Sequence, residues 1–203
     1  MKKYILKSCI FISIVLITSC DPDNKPIFNT EQVKLKANIN NPNEIITIND
    51  TLKITLQLPD TITSNTGIYP VRSLQECSFP MHISLIDTIN RRSVLQRPPT
   101  YWVTQGSITN NSFFSMNTQN KPYGVTINFK PTQKGIYYLE VTQPWNLKIN
   151  NGYDARLYVN FDVVDKHYNL LNVIAPYFGG QSFYQALVDK DAQGFGVYFF
   201  KVN

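Results

Sequence analysis

Cys77 and His82, five residues apart, are the nearest this sequence comes to a metal-binding or nucleophilic pair. A zinc site needs His, Cys or carboxylate ligands clustered at defined spacings. The other histidine is His167, and the other cysteines are Cys9 and Cys20, so no second ligand pair stands near the first. A cysteine nucleophile needs a histidine beside it in space, and nothing in the stretch ECSFP asks for one. No G-x-S-x-G, H-E-x-x-H or phosphate-cradling glycine loop occurs. No metal and no cofactor are expected. Hydrolysis would need a convergent acid/base pair. Asp154 and Asp162 can be named for it, but their spacing does not single them out. The chain therefore reads as a non-enzyme.

Two further patterns bear on chemistry. Asp189-Lys-Asp191-Ala-Gln-Gly194 resembles the opening of a calcium loop, but Phe200 stands where the twelfth-position Glu belongs. A solvated acidic turn is the expectation. Asp50-Thr51-Leu52, Asp60-Thr61-Ile62 and Asp87-Thr88-Ile89 repeat Asp-Thr-apolar. They resemble an O-glycosylation sequon of bacterial envelope proteins, which makes Thr51, Thr61 and Thr88 candidate modification sites. The plainer reading is turn chemistry, since an aspartate can bond its own backbone two residues on.

Aromatic rings offer a binding chemistry. Tyr101, Trp102, Tyr123, Trp145 and Tyr153 fall in or beside expected loops. A ring can stack on the apolar face of a sugar or anchor a protein partner. Tyr101, Trp102, Trp145 and Tyr153 are the ligand-binding candidates. Core packing is the competing reading, and for Trp102 it is the preferred one. Trp145 and Tyr153 flank Asn151-Gly152 and are expected close together there.

The elements that must position these groups read mainly as strands. Val33, Leu35, Ala37 and Ile39 alternate with polar residues, as do Leu52, Ile54, Leu56 and Leu58. Val125–Phe129, Tyr137–Val141 and Leu157–Val163 do the same. Period two puts each apolar set on one face, the mark of antiparallel sheets with one wet side. Asn151-Gly152 between KIN and YDA signals a type I′ hairpin. Met81, Ile83 and Leu85 suggest a strand in the less regular middle, with short ones at Tyr101–Val103 and Ser112–Phe114. After Asp165 the apolar spacing changes to three and four, which predicts short helices broken at Pro176 and Gly179-Gly180, with Ser182 as a cap. GVYFFKVN closes the chain as a strand.

Gly135-x-Tyr137-x-Leu139-x-Val141 is similar to the start of strand F in immunoglobulin-like domains. The resemblance implies that the Tyr137 hydroxyl closes the corner between strands E and F on backbone. Leu139 stands where an antibody domain has its second cysteine, so only the sandwich architecture carries over. The fold expectation is mainly β: an immunoglobulin-like antiparallel β-sandwich over 31–165. A short α/β appendage over 166–203, ending in a strand, packs on it.

The first thirty residues set the address. Lys2, Lys3 and Lys7 precede the apolar run CIFISIVLI, the layout of a secretory signal too short to span a bilayer. Ile17-Thr18-Ser19-Cys20 resembles the lipobox of bacterial lipoproteins. That resemblance implies cleavage between Ser19 and Cys20 and fatty acylation of Cys20. The signal is then 1–19, and the polar stretch 20–30 is a tether. Two or three acyl chains hold a protein on a bilayer where one holds it only marginally. The expected location is the cell envelope, lipid-anchored at the outer membrane, with the leaflet open.

The same segment explains the charge. The chain carries +5, and three of those charges are Lys2, Lys3 and Lys7. No basic stripe remains for nucleic acid, and Arg91-Arg92 reads as a solvated turn. With Cys9 removed and Cys20 acylated, Cys77 has no partner for a disulfide and reads as a buried, inert thiol. The partners expected are the bilayer, through Cys20, and a glycan or an envelope protein. The functional expectation is a non-enzymatic binding or accessory module. An envelope polymer hydrolase and a structural adhesin subunit, with GVYFFKVN completing a neighbour's sheet, are the alternatives.

Overall fold

The computed structural model describes residues 31–203 except 65–66, 76, 98–99, 111, 143–144, 150–152, 164 and 194–195; the side chains at 31–32, 64 and 145–158 also fall outside the described set. The signal, Ser19, Cys20 and the tether lie outside the described residues.

Fifteen strands and two α-helices follow one another among the described residues. The first eight strands are β1 (Glu31–Ile39), β2 (Ile45–Ile46), β3 (Leu52–Gln57), β4 (Thr61–Ser64), β5 (Gly67–Pro70), β6 (Ser78–Asp87), β7 (Arg92–Leu95) and β8 (Tyr101–Gln105). Then come β9 (Ser107–Thr109), β10 (Phe113–Ser115), β11 (Gly124–Phe129), β12 (Gly135–Val141), β13 (Trp145–Ile149) and β14 (Tyr153–Phe161). Helices α1 (Tyr168–Ile174) and α2 (Gln181–Ala192) precede the last strand, β15 (Val197–Val202).

One sheet has the order β13-β14-β1-β3-β11-β8, and the other β2-β15-β12-β6-β10-β9, with β7 also on β6. Within the first, β1-β3-β11-β8 is the A-B-E-D order of an immunoglobulin sandwich. Within the second, β15-β12-β6-β7 is G-F-C-C′. The hairpin β13–β14 and both helices are thus inserted between strands F and G. The final strand is an inner strand, paired with β12 on one side and β2 on the other. Residues 166–203 therefore supply a strand of the sandwich as well as helices that pack on it.

Alternation decides which side chains fill the space between the sheets. Leu52, Ile54 and Leu56 of β3 are buried while Lys53 and Gln57 are exposed. Leu35 and Ala37 of β1 are buried between Lys34 and Lys36. The core joins these to Phe79, Phe114, Phe129, Tyr137, Phe161 and Phe200. Tyr137 stacks on Phe200 at 5.3 Å, and its hydroxyl donates to the Gln133 carbonyl at 2.9 Å. This is the corner bond that the resemblance implied, on the turn from β11 to β12. A second, smaller core lies on the other side of β15: Leu170, Leu171, Ile174 and Leu187 cover Ile86, Val197 and Phe199. That is why β15 is apolar at consecutive positions rather than alternate ones.

Three local expectations change. Two pairings are parallel, β1 with β14 over seven positions and β2 with β15 over two. Alternation marks the core face of a strand but not the direction of its neighbour. Ser182 is not the cap of α2. Gly180 holds that place with a φ of 64°, and no side-chain bond caps the helix. The register of β13 and β14 pairs Ile149 with Tyr153, leaving one residue more between them than a two-residue hairpin has. The turn residues themselves lie outside the described set.

Candidate ligand-binding face

The outward positions of β8, β11, β3 and β1 form the wet face of the six-stranded sheet. Trp102 projects from it 41% exposed, while its neighbour Tyr101 is 3% exposed and packs 5.9 Å from Phe114. The two adjacent aromatics thus take opposite faces of one strand. This reverses the reading of Trp102 as core and removes Tyr101 from the ligand-binding candidates.

Register places polar groups beside the indole. Trp102 pairs with Asn128, which pairs with Lys53. The next row runs Gln105, Thr126, Thr55, Asn38. Asn128 donates to the Thr104 hydroxyl at 3.2 Å, and the Thr126 hydroxyl donates to the Gln105 side-chain carbonyl at 3.3 Å. The Gln105 amide also donates to the Pro122 carbonyl. These bonds fix the amides in place; Thr126 and Asn128 are themselves buried, so the exposed groups beside the indole are Thr104 and Lys53. A register irregularity between Thr126 and Ile127 brings both Thr104 and Gln105 to the wet side.

At the far end of β3 and β11, the face borders a cleft of about 390 Å³ lined by Gln57, Leu58, Asp60, Lys121, Pro122 and Tyr123. Lys121 pairs with Asp60 across it and lies 5.8 Å from the centre of the Tyr123 ring. Its pKa is raised, chiefly by the hydrogen bond to Asp60.

The other candidates are not brought to one place. Trp145 pairs with Leu157 and Tyr153 with Ile149, at opposite ends of the hairpin. Four strand positions separate the backbone at the two ends by about 13 Å, and both side chains lie outside the described set. Asp154 and Asp162 are eight residues apart along and just past β14. That is about 26 Å of extended chain, while paired carboxylates of a glycosidase stand within about 10 Å. Cys77 is buried against the Met116 sulfur at 3.4 Å, and burial pushes its thiol up to about 12. His82, half-buried, sits an odd number of positions further on and so takes the other side of the strand.

His167 is buried against Tyr198, with Nε2 2.9 Å from the Pro42 carbonyl oxygen. Among the described residues no three His, Cys, Asp or Glu side chains group as metal ligands. Asp189 and Asp191 lie within α2 rather than in a loop. Asp191 accepts two bonds from Lys166 at 2.7 Å, one from the Tyr168 hydroxyl at 2.6 Å and one from the Val197 amide at 3.0 Å. This carboxylate fastens the helical insertion to β15.

The three Asp-Thr sites are at the surface. Thr61 is exposed, and Thr51 and Thr88 are half-exposed. Two of their aspartates do the turn work, while Asp60 pairs with Lys121. Asp50 accepts from the Thr47 amide at 2.8 Å, and Asp87 accepts from the amides of Ile89 and Asn90.

Sequence reasoning missed exposed Thr104 and Lys53 beside Trp102, with Asn128 and Thr126 buried between them. The signal was present in the polar phase of the same alternation that marked the core. No protein-family model and no curated protein sequence matches this chain.

Proposed function

We propose that this chain is a lipid-anchored cell-envelope module, non-enzymatic, that binds glycan through the wet face of the A-B-E-D sheet. The anchor would be acylated Cys20, after cleavage at Ser19, at the outer membrane. The observation that carries the binding role is Trp102, standing out beside exposed Thr104, whose hydroxyl is held by Asn128, and exposed Lys53. An indole gives a sugar ring an apolar platform, and the fixed polar groups read its hydroxyls. The test is retention of the purified full chain on insoluble envelope glycan. Trp102→Ala should cut binding tenfold or more while leaving the melting temperature within a degree or two, since exposed substitutions change stability by about 0.5 kcal/mol or less. Unchanged retention by the variant would sink the proposal.

A protein ligand is the second reading. Ile89, 91% exposed on the β6–β7 turn beside Arg91 and Arg92, favours it. Crosslinking from position 89 in intact envelopes separates the two readings: a single discrete adduct means a protein neighbour.

Thr51, Thr61 and Thr88 are accessible to a modifying enzyme, and O-glycosylation there would shield the sheet ends. Intact mass of the chain purified from its native envelope reads out any added sugar.

A further inference from the structure

We infer that the ligand of the Trp102 face is a polyanionic glycan, one carrying carboxylate or sulfate groups along its chain. This rests on the glycan reading above and specifies its chemistry. The face is asymmetric in charge. Lys53 on β3 and Lys34 and Lys36 on β1 all point to the wet side and are exposed. Among the described residues, only Asp162, 3.8 Å from Lys36, offers these three lysines a carboxylate. Lys34 and Lys53 have none among the described residues. The remaining outward positions of β3, β11 and β8 are Thr55, Gln57, Thr126, Asn128, Thr104 and Gln105, all neutral. Nothing among them repels an anion.

The spacing suits a chain rather than a single sugar. Strands lie about 4.8 Å apart, so Trp102 on β8 and Lys53 on β3 are about 10 Å apart across the sheet. Lys36 lies one strand further and four positions along, level with Gln57 rather than Lys53. A ring stacked on Trp102 therefore puts sugars further along a chain over Lys53, and a chain that runs on obliquely over β3 and β1 reaches Lys36. Exposed lysines attract such groups in a salt-dependent way, because charges in water are screened over about 8 Å at physiological ionic strength. The indole contact is apolar and insensitive to salt.

Matched polysaccharide pairs test this with the full chain in affinity electrophoresis: polygalacturonate against its methyl ester, and dextran sulfate against dextran. At least one charged member should bind tenfold or more tighter than its neutral partner, and the excess should vanish in 0.5 M salt, where the screening length is about 4 Å. Lys53→Gln with Lys36→Gln should remove the excess and leave residual neutral binding, whereas Trp102→Ala should weaken both. Equal affinity for charged and neutral partners overturns the polyanion inference but spares the glycan reading. Binding of none of the four overturns both. A single-stranded oligonucleotide bound as tightly as the best polysaccharide also overturns the inference, since it would mark an unselective cationic surface.

Discussion

Tyr137 spends its two ends on different tasks. Its ring packs between Phe129 and Phe200, and its hydroxyl ties down the Gln133 carbonyl in the β11–β12 turn. Tyr137→Phe keeps the ring and releases the turn. The expected loss is about 1 kcal/mol in urea unfolding, the usual net worth of one hydrogen bond. Cys77 makes a second prediction at this scale. With its thiol pushed up to about 12 and packed on Met116, it is neutral and shielded at pH 8. Only the thiolate reacts, so a thiol reagent should label Cys77 in denaturant and leave it untouched in the native chain. Labelling at equal rates in both states would contradict the packing. Trp102 shows how far residue type alone reaches. The sequence puts two aromatics side by side, and alternation requires one to face in and the other out. Which one faces in depends on the phase of β8 against Ile127 and Phe129, its register partners' strand, and that is a tertiary fact.

Among elements, the β3–β11 pair is the most tightly fitted. Gly124 has a φ of 132°, and a Cβ there would lie 2.0 Å from the Leu56 carbonyl oxygen. Gly124→Ala must therefore distort backbone as well as adopt a disfavoured conformation, at a cost of about 2 kcal/mol or more. Thermal melting would show it as a clear drop in midpoint, and an unchanged midpoint would refute the close approach. Most elements were legible in the sequence for a simple reason. Strands β1 and β3 have one dry and one wet face, and that contrast is written at every second residue; β11 alternates apolar with polar residues in the same way although all six of its positions are buried. β15 read as a strand from its composition, but its role inside the sheet did not, because helices cover its second face and abolish the alternation. The parallel pairing of β1 with β14 was equally invisible. It is set by where the inserted hairpin returns to the sheet.

For the whole molecule, the buried phenols set an alkaline limit. Burial raises the pKa of Tyr101, Tyr137, Tyr168 and Tyr198 above the ordinary value near 10. A group raised on folding adds stability that is complete below its unfolded pKa and is lost as pH climbs through the folded one. Stability should accordingly hold to about pH 10 and fall above it. The share of the tyrosinate absorbance that belongs to these four rings should rise only as far-ultraviolet circular dichroism is lost. Tyr198→Phe should move the onset upward, because its hydroxyl has only a long 3.5 Å contact to the Asn43 carbonyl to lose. Ionisation of all twelve tyrosines before any loss of circular dichroism would show these rings to be less enclosed than described. The site was less legible than the fold because it is an emergent row. Trp102, Asn128 and Lys53 are far apart in the chain and meet only once three strands are in register.

The direction of β1 has one more consequence. The strand begins at Glu31 and ends at Ile39, and the row holding Trp102, Asn128 and Lys53 lies level with that end, beside Asn40. Nine residues of strand make a rise of about 30 Å. If Cys20 is acylated as proposed, Glu31 would be the end of β1 nearer the lipid and the indole would stand level with the other end. Such a protein would reach away from its own lipid leaflet, and sugars flush with that leaflet would pass beneath its grasp.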